Sequence, residues 1–271
     1  MSSLTSAGME EESRKVLKPL LSASDVASAL RSCYSRSFDA FRVVEELESY
    51  DDCNWLVEKE QKETEATAET SKYVFKAHNG ADSEGEGGLQ LLQQRCMDAV
   101  NGSEGLRTSG VVLSDDGLPF VRLKLRVNSG EDRVLACKVL EYVPGRLLKD
   151  CRVDETAVVA AGEYLARLDS ALDGLSLEPG CRADKAAKRD HQWDARHTLS
   201  LEPFLRYVED GALLKAVKGV IQSFRMAGIR DDKMRKGIIM ADFNDCNVVM
   251  EDRGGKYAVK GVIDWGDVVE R

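Results

Sequence analysis

The sequence predicts an α+β chain of two lobes with a cleft between them. Strand-like runs fill the first half and helix-period runs the second. A short Pro144-Gly145 connector separates the halves, and polar groups crowd between buried-looking strands near the end of the second. At 271 residues the chain is long enough to bury a sizeable core.

Residues 1–17 are polar and read as a disordered tail. From Ser24, an N-cap followed by Asp25, the positions Val26, Ala29, Leu30 and Cys33 fall at helical spacing. "FRVVEELES" (41–49) reads as a strand and "YDDCNWLVE" (50–58) as a turn leading into another. The charged stretch 59–72 has no apolar period and reads as a loop. "YVFKAHN" (73–79) is a short strand that carries Lys76 inside it; 80–88 is acidic and flexible, and 89–100 helical. "VVLS" (111–114) and a "DDG" turn precede "FVRLKLRV" (120–127), whose strict alternation marks a half-buried strand. "RVLACKVLEYV" (133–143) is more uniformly apolar, as a central strand is. Beyond "PGR", residues 154–172 place Val158, Leu165, Leu168 and Leu172 on one helical face. Residues 212–226 place Leu213, Leu214, Val217, Val220, Ile221 and Phe224 likewise, with Gly228 as the stop. Two strand pairs lie within "KGIIMADFNDCNVVMED" and "KYAVKGVIDWGD". The lobes are thus expected at 18–143 and 144–271.

Apolar residues make up 43% and charged residues 31%, the proportions of an ordinary globular protein. A net charge of −9 argues against a nucleic-acid partner. Seven scattered cysteines, without CxxC spacing, suit reduced thiols in the cytoplasm better than a disulfide framework or a zinc site. No apolar run is long enough to span a bilayer, so no membrane partner is expected.

The stretch "MADFNDCNVVM" (240–250) sets carboxylates and side-chain amides between apolar runs, where polar groups cost free energy unless paired or used. Phosphoryl transfer needs a cation against the phosphates, Mg²⁺ with hard oxygen ligands, and a carboxylate to receive the acceptor's proton. The chain offers these in order: Lys76 in a strand, Asp242 opening the polar loop, Asn247 closing it five residues on, and Asp264 after a later strand. A hydrolase built on the Asp242 and Asp264 carboxylates is the competing reading, which Lys76 and the Asn247 spacing disfavour. Asp51 and Asp52 are either an ordinary turn or part of a loop over a nucleotide. Trp193 either lines an acceptor pocket or is a buried aromatic.

The segments "ESYDDCNWLVE", "KYVFKAHN", "VLEYVPGRLL", "YLARLDSAL", "ADFNDCNVVM" and "GVIDWGDV" resemble the hydroxylysine kinase family, within the aminoglycoside phosphotransferase and choline kinase-like superfamily. The resemblance runs from about Glu48 to the last residue. It implies a protein-kinase-like fold with a nucleotide-binding sheet lobe. It further implies Asp242 as catalytic base, Asn247 and Asp264 as Mg²⁺ ligands, and Lys76 on the nucleotide phosphates. "SYDDCN", with Ser49, Asp51 and Asp52, would cover the phosphates, and "LEYV", with Glu141 and Val143, would be the hinge facing the purine. The implied reaction moves the γ-phosphoryl group of GTP, or ATP, to the hydroxyl of a small amino-bearing acceptor, 5-hydroxy-L-lysine, with another amino alcohol or an aminoglycoside as the alternative acceptor.

Three departures from the family pattern stand out. Its His-Gly-Asp reads Met240-Ala241-Asp242, and alanine is strained if the backbone there needs a positive φ. This motivates the alternative of an impaired pseudokinase that binds nucleotide without turnover. Residues 89–100 hold no glutamate to pair with Lys76, which leaves Glu84 or Glu86 for that task. Family members continue beyond the position of Arg271, so the helical lobe is expected to be truncated and to expose an apolar face.

Overall fold

In a computed structural model the chain is described over residues 12–60, 71–190, 195–227 and 235–271. Residues 12–16 are helical, and the longer helix that follows, α1 (Ala23–Cys33), starts two residues earlier than the sequence placed it. Ser22, not Ser24, is its N-cap: the Ser22 hydroxyl accepts from the Asp25 amide, and the Asp25 carboxylate accepts from the Ser22 amide. The reciprocal pair requires the acid three residues after the cap, which fixes Ser22.

Strands β1 (Phe41–Leu47), β2 (Cys53–Lys59) and β3 (Lys72–Ala77) form an antiparallel meander. Strand β6 (Asp132–Glu141) continues it, and β4 (Val111–Val112) and β5 (Val121–Arg126) both pair with β6. The expected strand at 111–114 is thus only two residues long. Of the loop expected at 59–72, residues 61–70 lie outside the described residues, while Lys59 and Lys72 belong to the flanking strands. One face of the sheet and α1 enclose a core of Leu30, Tyr34, Phe38, Phe75 and Leu135.

The expectation of a disordered tail to residue 17 is corrected over residues 12–17. Leu17 accepts from the Gly80 amide at 3.0 Å, and the Leu20 amide donates to Arg126 at 2.8 Å. Arg14 reaches both Asp51 and Asp82, and the Lys18 ammonium donates to the carbonyls of Ser49 and Tyr50. Polarity misleads here, because these side chains are polar in order to fasten loops. Residues 1–11 lie outside the described residues.

Helix α2 (Gly88–Asn101) buries Leu92, Met97 and Val100 in a second core, shared with the C-terminal half. That half contributes α3 (Glu155–Asp173), α4 (Arg182–Ala187), a 3-10 stretch (Ala195–Tyr207) and α5 (Gly211–Ala227). It also contributes a three-stranded sheet ordered β10 (Tyr257–Val262), β9 (Val248–Asp252), β7 (Arg146–Leu147). A small pair joins β8 (Ile238–Ile239) to β11 (Val269–Glu270). On α3 the buried positions are Ala157, Tyr164, Leu168 and Leu172. Val158, expected inside, is exposed, because the buried stripe at the helix start runs through Ala157. On α5 Ile221 is buried, while Leu213 and Val220 are 55% and 64% exposed. Gly228 and Trp193 lie outside the described residues.

Polar bonds through buried Thr108 tie the first half to the second. Its hydroxyl donates to the Val262 carbonyl and accepts from the Trp265 indole, each at 2.8 Å. The Tyr164 hydroxyl accepts from the Arg107 amide and donates to the Arg107 carbonyl, again at 2.8 Å. Every buried polar atom in this joint has a partner, as a low-dielectric setting demands.

Candidate active site

Between the two cores lies a cleft of about 720 Å³. Lys76, Asp242, Asn247 and Asp264 all line it, although 188 residues separate the first from the last. Lys76 enters from β3 and is 5% exposed. Its ammonium lies 2.6 Å from Asp52 and 3.2 Å from Asp264. Burial alone would lower its pKa, but Asp264 and Asp52 outweigh that and hold the ammonium above the ordinary lysine value. The expectation that Glu84 or Glu86 pairs with Lys76 is therefore corrected: Glu86 meets Arg182, and Asp52 is the carboxylate that grips the lysine.

The loop between β8 and β9 is shaped by its own side chains. Asp242 accepts from the Asn244 amide group on one oxygen and from the Asn247 amide group on the other, both at 2.7 Å. Asn244 also accepts from the Cys246 amide at 2.8 Å, a bond of the kind that lets asparagine mimic a backbone turn. Burial first, then the charges of Asp267 and Asp264, lift the Asp242 carboxyl above the usual aspartate range, and its two amide partners pull the other way. Ala241 sits at φ +62°, so the sequence-level concern about a side chain at that position is realised. Met240 is 1% exposed and packs into the second core. Asp264 also takes a left-handed conformation, φ +59°, and accepts from the Gly266 amide at 3.1 Å.

The remaining site residues divide. Ser49 lines the cleft, and its carbonyl is pinned by Lys18. Asp51 and Asp52 do not line it: Asp51 is held by Arg14, and Asp52 accepts from the Asn79 amide at 2.7 Å besides meeting Lys76. Their carboxylates brace the cleft wall from behind. Val143 and Tyr142 line the cleft, whereas Glu141 does not; its amide donates to the Gly110 carbonyl at 2.8 Å.

A divalent cation that keeps several waters needs few protein oxygens. The donors here suit one, because Asn247 commits its amide nitrogen to Asp242 and leaves its oxygen for another partner, and the Asp264 carboxylate lines the same cleft. Lys138, which the sequence reading passed over inside an apolar strand, also lines the cleft. A lysine within the otherwise apolar "ACKVL" was the available signal.

Residues 110–269, more than half of the chain, match the phosphotransferase enzyme family, APH. The hydroxylysine kinase of Danio rerio is 26% identical over 259 residues, 94% of this chain and 68% of that protein. Its Mus musculus counterpart is 22% identical over 271 residues, 97% of this chain and 69% of that protein. Among solved structures, amicoumacin kinase hAmiN in complex with AMP-PNP, Ca²⁺ and Ami superposes with a TM-score of 0.56 at 16% identity, covering 97% of this chain and 67% of that one. A microcompartment-associated aminopropanol kinase gives 0.54 at 15% identity, with 92% and 70% covered. The GDP complex of aminoglycoside 2'-phosphotransferase-IIIa gives 0.54 at 12% identity, with 93% and 75% covered. These likenesses establish the two-lobed, kinase-like α+β fold.

Proposed function

The chain belongs to the phosphotransferase enzyme family and is a small-molecule kinase, and from that premise we propose that it moves the γ-phosphoryl group of GTP or ATP to the hydroxyl of 5-hydroxy-L-lysine or a close amino-alcohol relative. The observation that carries this reading is the convergence of Lys76, Asp242, Asn247 and Asp264 on one cleft. The names of the two curated relatives favour hydroxylysine as acceptor.

In this reading Asp242 orients the acceptor hydroxyl and takes its proton. Asn244 and Asn247 hold the carboxylate in place while its neighbours raise its basicity. Asn247 and Asp264 would hold Mg²⁺, which would neutralise charge on the phosphates. Lys76 exchanges its contact with Asp264 for the phosphates and stays anchored through Asp52. Ser49 and the loop behind it cover the phosphates, with Asp51 and Asp52 as its braces, and Val143 with its neighbour Glu141 forms the hinge toward the purine. The nucleotide lobe is 18–143 and the acceptor-side lobe 144–271, with α2 packed against the latter. Placement and charge neutralisation supply most of the catalysis in such a site.

The φ of Ala241 motivates a second reading, a protein that binds nucleotide without turnover. One experiment separates the two: product formation from GTP or ATP with Mg²⁺ and 5-hydroxylysine, in the wild type and in Asp242→Asn. Loss of general-base action lowers turnover by about 10²–10⁴-fold. Nucleotide binding without any turnover in the wild type supports the second reading instead.

A further inference from the structure

Strand β6 places a second lysine beside the first. Lys138 is the register partner of Lys76 across β3 and β6, so the two side chains emerge on the same face of the sheet. Lys138 is 3% exposed and lines the cleft together with Gln93 and Asp264. The two ammonium groups have unequal surroundings. Lys76 has two carboxylates, Asp52 and Asp264. Lys138 donates to the Oε1 of Gln93, a neutral amide on α2, and among the described residues no carboxylate stands within ion-pair distance of it. The Nε2 of Gln93 is itself buried without a hydrogen-bond partner.

A buried ammonium that meets only a neutral amide is an expensive group to keep in the wall of a cleft. We propose that Lys138 is a second anion-binding group of this cleft, so that the phosphate chain of the nucleotide is met by two lysines from neighbouring strands, with the free amide of Gln93 as an added donor. The inference rests on the nucleotide reading of the same cleft. It explains why the polar pair Lys138 and Gln93 is kept between β6 and α2, where apolar residues would pack at less cost.

The electrostatics agree. Burial first and then the neighbouring Lys76 push the Lys138 ammonium down to about 7, against the pull of Asp264 and Asp52. The groups that face it are Lys76 from β3 and His78 just after it, Gln93 from α2, Asp52 from the β1–β2 loop and Asp264 from the loop after β10. His78 is kept neutral by burial and by the two lysines, so it supplies no counter-charge. An entering phosphate chain does.

The test is calorimetric binding of a nucleoside triphosphate, the matching diphosphate and the bare nucleoside, with Mg²⁺ in excess, to the wild type, Lys138→Met, Lys138→Arg and Lys76→Met. Lys138→Met is expected to weaken triphosphate binding tenfold or more and diphosphate binding less, and to leave nucleoside binding unchanged. Lys138→Arg should retain most of the affinity. Should Lys138→Met fail to fold, Lys138→Gln, which keeps a hydrogen bond to Gln93, takes its place. Wild-type affinity for all three ligands in the Lys138 variant overturns the proposal, as does an equal loss for all three, which marks a structural lysine. If Lys76→Met loses triphosphate affinity and Lys138→Met does not, this inference fails while the nucleotide reading stands. A wild type that binds no triphosphate ends both.

Discussion

Ala241 and Asp242 show how chemistry and conformation compete at single residues. The left-handed backbone at Ala241 turns the chain so that Asp242 faces the cleft, and a β-carbon at that φ is strained. Ala241→Gly should therefore stabilise the fold by about 0.5–1 kcal/mol in chemical denaturation, the relief of strain being partly offset by glycine's freer unfolded chain. Turnover should not fall. Asp242 itself carries a raised pKa, so the fold favours its protonated form: that contribution is present below the ordinary aspartate value and is lost as pH rises through the raised one. The sign has consequences for activity. The acid limb of the kcat profile should lie above the ordinary aspartate pKa, and Asp267→Asn should move it to lower pH, since Asp267 is the strongest charged contributor to the shift.

At the scale of elements, Thr108 stands where β10 and the Trp265 turn approach the loop before β4. Thr108→Val keeps the shape but strands the Val262 carbonyl and the buried Trp265 indole N–H. A loss of about 1–3 kcal/mol in urea denaturation is expected. The elements themselves were largely legible in the sequence. β5 alternates, β6 is apolar, and α2 carries a helical stripe, because one-sided burial imposes those periods. What misled was local. At α1, Ser22 and Ser24 are both good caps, and only the reciprocal bond to Asp25 distinguishes them. At α3 the apolar positions near the start lie on both faces, so the sequence could not say that Ala157 turns inward and Val158 outward.

For the molecule as a whole, α5 leaves apolar side chains in solvent: Leu213 and Val220, seven residues apart on one helical face, are 55% and 64% exposed. Exposed apolar groups of this extent favour self-association. Leu213→Lys combined with Val220→Glu should reduce association in sedimentation velocity, with a stability change within about 0.5 kcal/mol. No described helix is long and apolar enough to cross a membrane. By itself the sequence determined the fold class, the order of most strands and helices and four residues that meet in the cleft, since periodicity and motif spacing are properties of neighbours along the chain. Only the tertiary structure decided who pairs with whom. Asp52 rather than Glu84 or Glu86 grips Lys76, residues 12–17 fasten the loop above the cleft, and Lys138 emerges beside Lys76. Those facts depend on strand register and on contacts between residues far apart in the chain, and a buried charge finds its partner through space, not through sequence.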